Sequence, residues 1–146
     1  MTPEIARQLI EIVTDWARHA EDVRAVALVG SWARGEARAD SDLDLVVLAI
    51  EPQAYQGERL PLPELAGFRV AERRQVRYGV VTSQVLTLEP PAEMELTFAD
   101  LTWARTDPVD LGTASVVRGG FKVLIDKDGL LGRLAAVFGE RDDRGL

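Results

Sequence analysis

Asp42 and Asp44 stand two residues apart in Asp42-Leu43-Asp44-Leu45-Val46-Val47-Leu48, a run rich in β-formers that predicts a strand. Side chains at i and i+2 of a strand share a face, so the two carboxylates meet at about 6–7 Å while Leu43 and Leu45 turn into the core. Two like charges that close are unfavourable neighbours unless a cation lies between them. Hard oxygen donors in this arrangement suit Mg²⁺, which takes a couple of carboxylates together with phosphate oxygens and water. Upstream, the apolar run Ala25-Val26-Ala27-Leu28-Val29 stops at Gly30, which fits a strand buried on both faces and ended by a residue free of φ restrictions. Ser31 is predicted to cap a helix beginning there, where unpaired N–H groups and the helix dipole favour an anion. A phosphate site beside a cation site is the chemistry these residues suggest.

Gly30-Ser31, the gap of residues 32–41 and Asp42-Leu43-Asp44 together resemble the signature of the nucleotidyltransferase superfamily related to DNA polymerase β. Arg34-Gly35 and the Asp40-Ser41 lead-in resemble its small, single-domain bacterial members. The resemblance implies a palm-like nucleotidyltransferase fold in which Gly30, Ser31 and Arg34 bind the nucleotide and Asp42 and Asp44 hold metal. In that superfamily a third acid stands on a later strand between hydrophobic residues. Met94-Glu95-Leu96 has this local form, so Glu95 is the expected third metal ligand and catalytic acid, with Glu93 as its competitor on the same strand face.

The resemblance further implies Mg²⁺, a nucleoside triphosphate with ATP as the expected donor, and transfer of a nucleoside monophosphate to a hydroxyl with release of pyrophosphate. The acceptor is expected to be a small, antibiotic-like molecule or a protein. The alternative is the antitoxin of a toxin–antitoxin pair, binding or nucleotidylating a HEPN-type ribonuclease. A nucleotide-binding pseudoenzyme is the third reading, and the presence of all three acids argues against it.

Other motifs fit less well. Asp40, Asp42, Asp44 and Glu51 fall at EF-hand ligand positions, but Leu45 stands where that loop needs Gly and a strand follows. Gly30-Ser31 lacks the Gly-Lys-Ser/Thr of a P-loop. His19 has no partner signature and reads as a solvated residue facing the end of a helix.

The net charge of −7 argues against a nucleic-acid duplex as acceptor, because such binders carry a basic stripe that releases counterions. No apolar run reaches the ~18 residues that cross a bilayer. The N-terminus lacks a basic signal-peptide segment, and the absence of cysteine removes disulfides and thiolate zinc sites. A soluble, cytoplasmic chain forming one domain over residues 1–146 is expected.

The elements that must position the acids follow from periodicity and breakers. Thr2-Pro3-Glu4 starts a helix whose stripe is Ile5, Leu9, Ile12, Val13, Trp16 and Ala20. Glu51 to Gly67 reads as loop with room for one short helical turn. Strands are expected at Phe68–Val70, Gln75–Val81, Val85–Leu88 and Met94–Phe98, with Arg73, Arg74 and Arg77 on a solvated face. A short element spans Thr113 to Arg118 before Gly119-Gly120, and Phe121–Ile125 is a further strand. A final amphipathic helix from Leu130 should stop at Gly139, leaving Arg141–Arg144 as a frayed tail. The fold class is α/β (α+β), a mixed sheet with its helices packed on one side. A palm this small leaves its cleft open, so a second chain, identical or a HEPN-type helical partner, is expected to pack there through exposed residues such as Trp103 and Leu111.

Overall fold

The structure is a computed structural model, and it describes residues 1–57, 62 and 64–144. Helix α1 (Pro3–His19) opens the chain, with the Thr2 hydroxyl accepting from the Ile5 N–H at 3.1 Å. Ala6, Leu9, Val13 and Ala17 are its buried stripe, at the three- and four-residue spacing that puts them on one side. Strands β1 (Val23–Val29) and β2 (Leu43–Ala49) pair antiparallel and are buried almost throughout. A short 3-10 turn, Pro52–Tyr55, follows β2 and stacks the Tyr55 ring on Phe98 with centroids 4.6 Å apart. This is the helical turn expected between Glu51 and Gly67; residues 58–61 and 63 of that segment lie outside the described residues.

Strands β3 (Arg69–Tyr78), β4 (Val81–Glu89) and β5 (Ala92–Ala99) form an antiparallel meander. The expected strand Gln75–Val81 is divided in the structure, because the chain reverses at Gly79-Val80 and Val81 begins β4. A 3-10 turn at Leu101–Ala104 leads to α2 (Leu111–Arg118), β6 (Phe121–Asp126) and α3 (Leu130–Arg144). Gly139 does not end α3, whose backbone stays helical through the stretch expected to fray. Among the described residues nothing lies within 4 Å of where a Cβ at that glycine would stand, and a single Gly costs a helix only about 1 kcal/mol.

The six strands lie in the order β3-β4-β5-β2-β1-β6, with β2 and β5 parallel and every other pair antiparallel. This is the expected mixed sheet of an α+β fold. The helices, however, cover both faces rather than one. Leu9 and Val13 of α1 pack with Val26, Leu28, Leu45, Val47, Leu96 and Phe98 on one face. Leu131 and Leu134 of α3 and Val117 of α2 pack with Ala25, Ala27, Val29, Val46 and Leu48 on the other. Strands apolar on both sides need two covers, and each fully buried Leu or Val contributes roughly 1.5–3 kcal/mol. On the second face α2 and α3 cover β6, β1 and β2, which leaves the β5 side bordering an open cavity.

Candidate active site

Gly30 ends β1 in the left-handed region at φ +75, where other residues are strained. A Cβ there would come 2.9 Å from Asp44 Oδ2, so the position also leaves room for the acid beside it. Beyond it the Ala33 and Arg34 amides both donate to the Gly30 carbonyl, at 3.1 and 3.2 Å, and Glu36 N–H donates to the Ser31 carbonyl at 2.9 Å. The segment is a tight turn and not the helix expected after Ser31. Glycine at position 35, again at positive φ, ends it before a second helical turn can form. The N–H groups of Ser31 and Trp32 meet no acceptor among the described residues, so donors for an anion remain without a helix dipole. Arg34 reaches back, donating from Nη1 to the Gly119 carbonyl at 2.7 Å and from Nε to Glu36 Oε2 at 3.1 Å.

The acids come together through strand register. Parallel pairing sets Asp44 of β2 opposite Glu95 of β5, and Val46 opposite Thr97 one step further along. Asp42 lies just before β2, exposed, while Asp44 is half-buried. Asp42, Asp44, Glu95, Gly30 and Arg34 line one cavity of about 830 Å³; Ser31 and Glu93 are not among its lining residues. Its walls continue to Trp103, Thr113 and Val116 on one side and to Tyr78 and Val81 on the other.

Charge crowding is the site's main electrostatic feature. The Asp44 carboxyl is pushed up to about 7, first by burial and then by Glu95, Asp42 and Glu93. Glu93 hydrogen-bonds Asp42, and that bond, with burial and the Asp42 charge, raises its carboxyl above the usual range against the pull of Arg74. All four side chains offer only carboxylate oxygens, and their mutual repulsion is what a hard divalent cation relieves, so the donor set fits such an ion. Among the described residues no three or more acidic or histidine side chains are already gathered at metal-holding distances. His19 is remote from this chemistry: it is exposed, with Nδ1 at 2.9 Å from the Asp15 carbonyl.

The family described as nucleotidyltransferase domain matches residues 7–91. The chain belongs to that family. A search of the curated proteins gave no match. As a nucleotidyltransferase, the protein is a transferase that moves a nucleoside monophosphate, and this family generally works with a nucleoside triphosphate and a divalent metal. The matched segment carries the Gly30 turn and both aspartates but ends before Glu93 and Glu95, so those two acids stand on the β2–β5 register alone.

Two features of this nucleotidyltransferase were not visible as site features in the sequence. Gly119-Gly120 reads there only as the end of a short element, whereas the folded chain sets it against the Gly30 turn. Trp103, expected as an exposed contact residue, is half-buried against the α3 side of the core and walls the cavity. No helix among the described residues is long and apolar enough to cross a membrane.

Proposed function

We propose that the protein transfers a nucleoside monophosphate, with Mg²⁺ as the cation and ATP as the donor, to a hydroxyl of a small-molecule or protein acceptor in the cytoplasm, acting as one domain over residues 1–146. The observation that carries this reading is the in-register placement of Asp44 and Glu95, with Asp42 beside them, in the cavity that holds the Gly30 turn. The Ser31 and Trp32 amides donate to the terminal phosphates. Asp42, Asp44 and Glu95 are the residues that would hold Mg²⁺, which would supply positive charge against the charge developing at the α-phosphate. Glu95 receives the proton of the attacking hydroxyl. The acceptor oxygen bonds to the α-phosphorus in line as the bond to the β-phosphate oxygen breaks, and pyrophosphate leaves.

Exposed apolar side chains favour a second reading of the acceptor side. Leu111, 87% exposed, opens α2, while Tyr78 at 53% and the fully exposed Val80 stand at the β3–β4 turn beside the cavity. Such residues suit a partner chain over the cleft, identical or a helical HEPN-type protein that this chain binds or nucleotidylates. Incubating the purified chain with each α-³²P-labelled nucleoside triphosphate and Mg²⁺ tests both readings. Label transferred to a hydroxylated acceptor or a co-purified protein is expected, and pyrophosphate-free mixtures with every donor and acceptor would contradict transfer.

A further inference from the structure

The structure assigns Gly120, with Arg34, the role of positioning the Gly30–Arg34 turn from outside the segment that matches the family; this inference rests on the proposal that the turn binds the donor's phosphates. Three contacts point to it. The Gly30 N–H donates to the Gly120 carbonyl at 3.2 Å, and Arg34 Nη1 donates to the Gly119 carbonyl at 2.7 Å. Gly120 has φ +125, a conformation reserved for glycine, and a Cβ there would fall 2.5 Å from the Gly30 carbonyl oxygen and 3.2 Å from the Arg34 nitrogen.

That Gly30 carbonyl is the acceptor for the Ala33 and Arg34 amides, so whatever displaces it reshapes the turn and re-aims the Ser31 and Trp32 N–H groups. The corner after α2 therefore sets the shape of the phosphate turn through backbone contact. Arg34 serves it as a tether, and its guanidinium is engaged by protein on two sides.

The test uses the full chain with Mg²⁺ and inorganic tripolyphosphate, a probe without base or ribose, followed by calorimetric titration and thermal melting. Wild type is expected to bind. Gly120→Ala is expected to bind at least tenfold more weakly while Asp44→Asn, in contrast, leaves the turn's shape intact as read from amide chemical shifts of residues 30–36. Arg34→Met should weaken binding about fivefold and, before any ligand is added, move the amide chemical shifts of residues 30–36, because it removes the bond to the Gly119 carbonyl. Equal binding by wild type and Gly120→Ala overturns the inference. If Gly120→Ala fails to fold, Arg34→Met decides: weaker binding with the amide shifts of residues 30–36 unmoved in the free protein means that Arg34 acts by charge on phosphate, and the tether is wrong. A wild-type chain that binds neither tripolyphosphate nor any nucleoside triphosphate removes the functional reading itself, an outcome distinct from both.

Discussion

Asp44 concentrates the cost of this site on one carboxyl. An acid whose folded-state pKa is raised holds its proton more tightly folded than unfolded, so the Asp44 carboxyl costs the fold nothing below the ordinary value of 3.8 and destabilises it increasingly as pH rises towards about 7. In chelator, Asp44→Asn is therefore expected to raise the thermal midpoint at pH 8 and to change it little at pH 4. At a half-buried position screened by solvent the gain is on the order of 1 kcal/mol, about 2–4 °C for a chain of this size. Mg²⁺ should shift the wild type upward at pH 8 and the variant much less. Melting curves at the two pH values check this, and a variant less stable than wild type at pH 8 contradicts the crowding described here. The aspartate pair was legible in the sequence because strand period fixes i and i+2 on one face. The Glu93–Asp42 hydrogen bond was not, since it depends on which strand lies beside β2.

At the scale of elements, β5 sets which glutamate lies beside the aspartates. Its parallel register sets Glu95, and not Glu93, opposite Asp44 and in the cavity, so Glu95 is the glutamate proposed here as the third acid. Glu95→Gln is expected to lower kcat by about a hundredfold or more, because charge stabilisation around a bound cation contributes several kcal/mol and 1.36 kcal/mol is tenfold in rate. Glu93→Gln should cost less than tenfold, and kinetics in which the two losses are reversed would move the third-acid role to Glu93. Helix α1 was readable from Thr2-Pro3 and its stripe, and the sheet strands from their β-formers. The segment after Ser31 misled because capping residues promise a helix that Gly35 cuts short. The reversal at Gly79-Val80 was missed because valines continue on both sides of it.

Across the whole molecule, the apolar runs of β1 and β2 already required a cover on each face, and one-sided packing of the helices contradicted that requirement. The structure meets it with α1 on one face and α2 with α3 on the other, which leaves the cavity between α2 and the β3–β4 turn. No residue spacing could reveal that Gly119-Gly120 closes on Gly30, a contact made only when β6 docks beside β1. If a partner covers the cavity mouth, Leu111→Ser with Val80→Ser is expected to abolish association seen by sedimentation or co-purification while melting stays within a few degrees. Unchanged association in the double variant would place the partner elsewhere. The central claim is that Asp42, Asp44 and Glu95 form one nucleotide-metal site beside the Gly30 turn, and calorimetric titration with the four nucleoside triphosphates in Mg²⁺ tests it most directly. Wild type is expected to bind at least one of them, and Asp42→Asn and Asp44→Asn are each expected to lose that binding by tenfold or more. Wild-type affinity retained in both aspartate variants would contradict it.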